Sequence, residues 1–274
     1  MLSTLHRLVV SSCVLLTLGV TFCDSGGRAM FGADKDVNVV GSLVDAAELV
    51  LSGEMPELEG VFRILQAVAL GELSAGAARD VTEALVVTVS TGLNAAVIVR
   101  GAVLPAPARI ADEYGHRPLP AGLLADPRTD PACGRTCFHA NASGLSVYAR
   151  ARAAGLEFAE NRDFDRLAEA GDARALELYE QEGRLLAEWL GPILMERGFA
   201  EPSREVKVTQ NSSDRGKSVS HPLVVWQGTF ARRGFNYFEW ALRDGLSQLV
   251  GKVPEFRLGE LGDNAGLVGA SYLR

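Results

Sequence analysis

Apolar and polar positions follow two different periods along this chain, and these predict strands and helices in turn. The segment EALVVTVSTGLNAAVIVRGAVL at 83–104 has the pattern of two strands, joined by a turn at Ser90 to Asn94. The segment LVVW at 223–226 is short and continuously apolar, which is typical of a buried strand. Strands separated by helices indicate an α/β fold, with helices covering a central sheet.

Several other segments show the apolar spacing of helices. Residues 59–80 carry small and apolar side chains in helical spacing, and Gly76 falls near the end of this segment. From Leu145 to Met195 the pattern is helical throughout. Its clearest part begins at Asp172, a good N-cap residue, and ends at Gly198. Two further helices are predicted at 235–251 and 259–274.

The N-terminus is an almost unbroken apolar run from Leu8 to Cys23, preceded by the basic residues His6 and Arg7. This order resembles the first two regions of a signal peptide, although no small-x-small cleavage site precedes Asp24. The run also fits a buried pair of strands, or a degraded or mis-started reading frame. It is too short for a membrane span, so stable membrane insertion is not expected.

The net charge of the chain argues against nucleic acid as a partner. The 274 residues carry a formal net charge of −7. Nucleic-acid binding needs clustered Lys and Arg, so an acidic chain gives it no electrostatic support. The polar stretch at 199–222 is expected to be a surface excursion, and its GKS lacks the earlier glycine of a phosphate-binding P-loop.

Residues able to carry chemistry are concentrated at 111–144, which holds two of the four cysteines and two of the four histidines. Cys133 and Cys137 lie four positions apart, which is closer to metal-ligand spacing than to a disulfide framework. The alternative is a polar loop that contains two buried free thiols. The spacing alone leaves both interpretations open.

Four segments occur together in the order and rough spacing of one protein family. They are ALVVTVSTGLNAAVIVRGAVL, EYGH, CGRTCFHANASG and LGDNAGLVGAS, beginning at residues 84, 113, 133 and 261. Over residues 55–274 the chain thereby resembles the ROK family of bacterial sugar kinases, such as glucokinases, and related transcriptional repressors. The resemblance implies an actin-like ATPase (ribonuclease H-like) fold of two α/β lobes, with a shortened N-terminal lobe at 1–83 and a C-terminal lobe at 84–274.

The last of these segments predicts how the chain ends within the C-terminal lobe. Gly262, Gly266 and Gly269 are expected to let a terminal helix pack closely on the sheet. Asp263 or Asn264 is expected to cap that helix.

The resemblance implies a sugar site and a zinc site that share one histidine. Glu113 and His116 match the family's sugar-binding pair, a role that suits a carboxylate and an imidazole. His139 stands where the family has a further sugar-binding glutamate, and it could equally be a solvent-facing loop residue. His116, Cys133 and Cys137 match zinc ligands of the family.

This zinc set is one ligand short. The family's first cysteine falls near Pro131, which cannot bind a metal through its side chain. Asp130 or His139 is the candidate for the fourth ligand. Bound zinc is therefore a hypothesis that depends on a replacement for one cysteine.

The resemblance also implies ATP with Mg²⁺. In the family, the glycines of one turn let backbone amides approach the phosphates, and Thr91 and Gly92 match two residues of that turn. Gly228 matches one residue of a second glycine segment on the nucleotide side. The other glycines of the first turn are replaced by Ser90, Asn94, Ala95 and Ala96. These side chains are expected to crowd a tightly held phosphate.

The family's catalytic base is missing from its expected position. When the chain is aligned on ALGE at 69–72, the family's aspartate falls at Ile64, and no aspartate lies between Ala46 and Arg79. General-base catalysis contributes about 10²- to 10⁴-fold, so an efficient kinase is not expected. Two functions stay open: an impaired ATP-dependent, glucokinase-like hexose kinase, and an inactive sugar-binding or regulatory protein.

The resemblance implies a cytoplasmic homodimer with a hexose and ATP as its partners. Export is the alternative if the apolar N-terminus is a signal peptide. Family repressors carry an additional N-terminal helix-turn-helix, and nothing before residue 55 reads as one. Nucleic acid is therefore not an expected partner.

Overall fold

The computed structural model describes residues 64–199 and 223–272. The predictions for residues 1–23, for most of the lobe at 1–83 and for the polar stretch after Phe199 lie outside the described residues. Among the residues that are described, no helix is both long and apolar enough to cross a membrane.

The two described ranges contain five strands and seven α-helices. The strands are β1 (Ala84–Val89), β2 (Leu93–Val99), β3 (Ala102–Val103), β4 (Leu223–Gln227) and β5 (Glu255–Leu258). The helices are α1 (Ile64–Ala75), α2 (Phe138–Asn141), α3 (Gly144–Ala153), α4 (Asn161–Glu169), α5 (Ala173–Glu196), α6 (Thr229–Leu249) and α7 (Ala265–Ser271). Short 3-10 helices lie at Ile110–Asp112, Tyr114–His116 and Gly262–Asn264.

The strands form one mixed sheet in the order β3-β2-β1-β4-β5. The pairs β1–β2 and β2–β3 are antiparallel, whereas β1–β4 and β4–β5 are parallel. A parallel neighbour needs a long crossover, and the helices between β3 and β4 lie in that crossover. This strand order is that of the ribonuclease H-like fold.

The sheet is buried on both faces because alternate residues of its strands enter two separate cores. Leu85 and Val87 of β1 pack into the core formed with α2 to α6. Ala84 and Val86 pack into a smaller core with Leu65 of α1. Helices therefore cover both faces of the sheet, and the predicted α/β arrangement is confirmed.

The long predicted helical region from Leu145 to Met195 is divided into three helices. Gly155 follows α3 with φ +77° and Gly171 follows α4 with φ +81°, a left-handed conformation that ends a helix. The start predicted for the third helix is confirmed, because the Asp172 carboxylate accepts hydrogen bonds from the N–H groups of residues 174 and 175 at 2.9 and 3.0 Å. Gly198, with φ +68°, follows its end as predicted.

Several features of the second described range differ from the predicted pattern. Helix α6 begins at Thr229, six residues before the predicted start at Phe235. Strand β5 was not predicted, because it lies at the edge of the sheet and its side chains are exposed or half-buried. Edge strands lack the continuous apolar signal that identifies a central strand.

The terminal helix packs on another helix and not on the sheet as predicted. A Cβ atom on Gly269 of α7 would lie 1.7 Å from the carbonyl oxygen of Ala67 and 2.7 Å from the nitrogen of Gly71. The backbones of α1 and α7 are therefore in direct contact. The predicted cap is also wrong, since Asn264 precedes α7 without a capping hydrogen bond from its side chain.

This contact makes Gly269 and Gly266 a matched pair for a stability test. Gly269→Ala is expected to lower the free energy of unfolding by about 1–3 kcal/mol, because the new methyl group overlaps the backbone of α1. Gly266→Ala is expected to be neutral or stabilising by up to about 1 kcal/mol, since its nearest neighbour would be Val68 Cγ2 at 3.6 Å. Urea denaturation measures both, and equal effects would refute the close α1–α7 contact.

Candidate functional site

The turn between β1 and β2 is shorter than predicted. It comprises Ser90–Gly92, whereas Asn94, Ala95 and Ala96 belong to β2. Ala95 and Ala96 are buried in opposite cores of the protein. The prediction that these two side chains crowd a bound phosphate is therefore wrong. Within the turn, Thr91 is exposed and Ser90 and Gly92 are half-buried.

The two glycines assigned to the nucleotide are both held close to other parts of the protein. A Cβ atom on Gly92 would lie 2.4 Å from Cε1 of His139. Gly228 has φ +92°, and a Cβ atom there would lie 2.6 Å from the carbonyl oxygen of Val89. Packing alone thus requires glycine at 228, and a side chain at 92 would have to displace the ring of His139. The role of both glycines toward a nucleotide stays a prediction.

The segment EYGH lies directly against the start of β2. A Cβ atom on Gly115 would lie 1.9 Å from the carbonyl oxygen of Leu93, so only glycine allows this approach. The indole Nε1 of Trp189 in α5 donates to the carbonyl oxygen of Tyr114 at 2.8 Å. The segment is therefore fixed on both sides, by β2 and by α5.

Asn94 connects this segment to the sheet through its side chain. Its amide nitrogen donates to Oε2 of Glu113 at 2.5 Å, and its Oδ1 accepts from the N–H of Gly115 at 3.2 Å. Glu113 is itself buried. Asn94 thereby sets the position of the carboxylate that was predicted to bind sugar. The sequence had suggested only that Asn94 replaces a glycine.

The two histidines of the loop stack face to face. The ring centroids of His116 and His139 are 4.7 Å apart and the ring planes differ by 16°. Nδ1 of His139 lies 3.1 Å from the carbonyl oxygen of Leu93. His139 therefore contacts the same end of β2 as the EYGH segment, and its ring covers that of His116. Contact between His139 and a sugar stays a prediction.

His116 faces a cluster of four potential metal ligands. Its Nδ1 lies 3.1 Å from Oδ2 of Asp130 and 3.8 Å from Sγ of Cys137. Sγ of Cys137 lies 3.4 Å from Oδ2 of Asp130 and 3.7 Å from Sγ of Cys133. All four ligand atoms are within 4.8 Å of one another. The structure thus brings Asp130 to the cluster beside the three predicted ligands.

The donor types of this cluster fit a zinc ion. Zinc binds sulfur at about 2.3 Å and nitrogen or oxygen at about 2.0–2.2 Å, which separates tetrahedral donors by about 3.3–3.8 Å. Four of the six donor distances, between 3.1 and 3.8 Å, lie close to that range, and the other two are at most 4.8 Å. One nitrogen, one carboxylate oxygen and two sulfurs are donor types that zinc accepts.

Burial shifts the pKa values of two groups in the cluster. Burial lowers the pKa of His116, and the neighbouring His139 lowers it further. Burial raises the pKa of the Cys137 thiol to about 12, and its hydrogen-bonding neighbours Cys133 and Asp130 also raise it. Binding of zinc to Cys137 must therefore displace a proton.

A cleft of about 210 Å³ opens beside the Ser90–Thr91 turn. Its lining combines hydroxyl groups, an amide, aromatic rings and one guanidinium group. The lining residues are Ser90, Thr91, Leu145, Tyr148, Asn161, Thr229, Phe230 and Arg233. The cleft therefore lies where the turn predicted to hold the phosphates meets the first turn of α6.

The position predicted for the catalytic base is in the first turn of α1. Ile64 is 71% exposed, whereas Leu65 and Gln66 beside it are buried. An isoleucine side chain can neither accept a proton nor bind a metal ion. The exposure of Ile64 also means that packing does not require an apolar side chain at this position.

Sequence reasoning underestimated Asn94 and left the fourth ligand open between Asp130 and His139. The role of Asn94 and the identity of the fourth ligand both depend on how segments distant in sequence come together. Asn141 joins residues 128 and 137, because its Nδ2 donates to both carbonyl oxygens at 2.8 Å. This loop closure, together with the bond from the N–H of Ala132 to Asp130 at 2.7 Å, places Asp130 next to Cys137. No periodicity in the sequence signals such a closure.

Known proteins with similar sequences are sugar kinases. The N-acetylmannosamine kinase of Escherichia coli O139:H28 is 37% identical over 116 residues, which are 42% of this chain and 38% of that protein. The N-acetylmannosamine kinase of Escherichia fergusonii is 34% identical over 130 residues, 47% of this chain and 42% of that protein. The matches thus span less than half of the length of these relatives.

Solved structures share the fold over most of the chain. The ROK hexokinase from Thermus thermophilus superposes with a TM-score of 0.58 and 27% identity, covering 77% of this chain and 63% of that chain. A ROK family glucokinase from Streptomyces griseus in complex with glucose and AMPPNP has a TM-score of 0.58 and 19% identity, covering 76% and 65% respectively. The latter similarity concerns the fold alone.

The family profile agrees with the sheet topology and with these structures. It matches residues 60–196, which is half of the chain and includes α1, the β1–β2 hairpin, the EYGH segment and the ligand cluster. The actin-like ATPase fold predicted from the sequence is confirmed. The chain belongs to the ROK family.

Proposed function

We propose that this protein binds a sugar at Glu113 and His116 and ATP beside the Ser90–Thr91 turn, and that it phosphorylates the sugar slowly. The observation that carries the proposal is the bond from Asn94 to Glu113, which fixes the sugar-binding segment on the sheet. Slow transfer follows from Ile64, which leaves the expected base position without a carboxylate.

The proposed sugar binding depends on the carboxylate of Glu113 and the imidazole of His116. A carboxylate accepts hydrogen bonds from sugar hydroxyls, and an imidazole can use one nitrogen for a hydroxyl and the other for a metal. Nδ1 of His116 faces the cluster, so Nε2 is the nitrogen left for a hydroxyl. Relatives named N-acetylmannosamine kinase and a relative bound to glucose make hexoses and N-acetylhexosamines the sugar classes to test.

The proposed nucleotide binding depends on the cleft beside Thr91. A related glucokinase has been solved with AMPPNP, which supports ATP as the phosphate donor here. Hydroxyl groups of Ser90, Thr91 and Thr229 line the cleft and can donate to phosphate oxygens. Mg²⁺ would accompany ATP and neutralise charge on its phosphates during transfer.

The ligand cluster supports a structural zinc ion. His116, Asp130, Cys133 and Cys137 would hold it, and Asp130 would replace the cysteine missing near Pro131. When bound, zinc would act as a closed structural cross-link. Fixing the ring of His116 through Nδ1 would hold its other nitrogen in one orientation toward the sugar.

Phosphoryl transfer depends mainly on positioning, so a protein without the base can retain some activity. The hydroxyl of the sugar must still lose its proton, and general-base assistance of this step contributes about 10²- to 10⁴-fold. A sugar-binding protein with no turnover is the second candidate function, and Ile64 is the observation that favours it.

Three broader features are proposed from family membership. The chain forms a homodimer, it acts in the cytoplasm, and it divides into lobes at 1–83 and 84–274. In the structure, α1 of the first range packs on the sheet of the second. Size-exclusion chromatography with light scattering tests the dimer.

Sugar binding at Glu113 is tested by isothermal titration calorimetry. Glu113→Gln is expected to weaken the binding of glucose, mannose, N-acetylglucosamine or N-acetylmannosamine by about 10- to 100-fold, because it removes charge-assisted hydrogen bonds. Glu157→Gln changes an exposed glutamate and serves as the matched control. The proposal is wrong if a sugar binds both variants with equal affinity.

A further inference from the structure

Arg233 is the single charged side chain among the described residues that line the cleft beside Thr91. It lies four residues after Thr229 in α6, so both side chains are on the same face of that helix. The guanidinium group is partly exposed, at 47% of its side-chain surface. A positive group on the wall of an otherwise uncharged cleft is suited to an anionic ligand.

A buried carboxylate lies beside the guanidinium group of Arg233. NH1 of Arg233 lies 3.8 Å from Oδ2 of Asp165, whose side chain is only 6% exposed. Oδ1 of Asp165 accepts a hydrogen bond from the hydroxyl of Tyr179 at 2.7 Å, which fixes the carboxylate. At this distance the two groups form an ion pair without a hydrogen bond, which favours positions of the guanidinium group near the wall of the cleft.

The neighbouring arginine has a different environment. Arg232 is not among the residues that line the cleft, and its NH1 lies 3.7 Å from Oδ1 of Asp263. The two residues are adjacent in sequence and have the same charge. Their side chains are exposed to a similar extent, 41% for Arg232 and 47% for Arg233. Arg232 is therefore a control for any effect of net charge.

We infer that Arg233 binds the phosphate groups of the nucleotide in the cleft that it shares with the Ser90–Thr91 turn. The inference rests on the proposed binding of ATP in this cleft. A guanidinium group can donate two parallel hydrogen bonds to a phosphate, an arrangement that lysine cannot reproduce. Hydroxyl groups of Ser90, Thr91 and Thr229 would complete the donors around the phosphates.

Calorimetric titration with magnesium AMPPNP tests this role. Arg233→Ala is expected to weaken binding by about 10- to 100-fold, because charge-assisted hydrogen bonds are lost. Arg233→Lys is expected to restore part of the affinity, and Arg232→Ala is expected to leave it within about twofold. Sugar affinity, measured in parallel, is expected to be unchanged in all three variants. Thermal melting shows that each variant is folded.

Two simpler probes identify the part of the nucleotide that Arg233 contacts. Tripolyphosphate is expected to bind the wild-type protein and to bind Arg233→Ala at least about tenfold more weakly. Adenosine is expected to bind both proteins equally. An affinity loss for adenosine and none for tripolyphosphate would overturn the assignment to phosphate. Equal AMPPNP affinity in wild type and Arg233→Ala would refute the role of Arg233 alone. No AMPPNP binding to the wild type would refute the proposed nucleotide site as well.

Discussion

Ile64→Asp is expected to raise the rate of sugar phosphorylation at saturating ATP by at least about tenfold over the wild type. The substitution supplies a carboxylate at the position predicted from the sequence for the catalytic base. Ile64 is 71% exposed, so its replacement removes little packing and is expected to change stability only slightly. A coupled assay of ADP release over a panel of hexoses and N-acetylhexosamines measures the rate.

Ile64→Asn is the matched control, since asparagine has the size of aspartate and accepts no proton at neutral pH. Its rate is expected to stay at the wild-type level. Sugar affinity is expected to be similar in all three proteins, because residue 64 acts on the transfer step. Equal rates for the aspartate and asparagine variants would contradict the assignment of position 64. A wild-type rate typical of efficient kinases, which is about 1–100 s⁻¹, would show that the base lies elsewhere.

Asp130→Asn is expected to lower the affinity for zinc at least about tenfold, since a neutral amide is a much weaker ligand than a carboxylate. The wild-type protein is expected to contain about one zinc ion per chain after expression in zinc-supplemented medium. Loss of zinc is expected to lower the thermal midpoint by several degrees, because about 1 kcal/mol corresponds to about 2–4 °C for a domain of this size. Mass spectrometry of the metal content and a thermal melt give the two readings.

Asp126→Asn controls for the loss of one negative charge in the same loop, because Asp126 is exposed. It is expected to retain the zinc content and the thermal midpoint of the wild type. Cys137→Ser is expected to lose zinc at least as completely as Asp130→Asn, because it removes a buried ligand. Wild-type protein without zinc, or an Asp130→Asn variant with full zinc content, would contradict a four-ligand site that includes Asp130.

The central strands and the long helices could be predicted because their side chains are buried with a regular period. Strands β1 and β4 are apolar except for Thr88 and Gln227, since helices cover both faces of the sheet. The edge strand β5 lacks that signal, because its side chains are exposed or half-buried. The division of the region from 145 to 195 could have been read from Gly155 and Gly171, which both adopt positive φ.

The site residues show a different limit of sequence reasoning. Motif matching identified Glu113, His116, Cys133 and Cys137 as candidate site residues. Asp130 was named only as one of two alternatives, because the choice depends on how a loop closes around the side chain of residue 141. Asn94 was read as a lost glycine, since the sequence contains nothing that indicates its bond to Glu113.

A crystal structure of the protein with a sugar tests most directly whether the EYGH segment binds sugar. The sugar-binding role of this segment predicts that, at saturating glucose or N-acetylmannosamine, sugar hydroxyls lie within about 3.2 Å of the carboxylate of Glu113 and of Nε2 of His116. A sugar bound away from these two groups, or no bound sugar at saturating concentration, would contradict it.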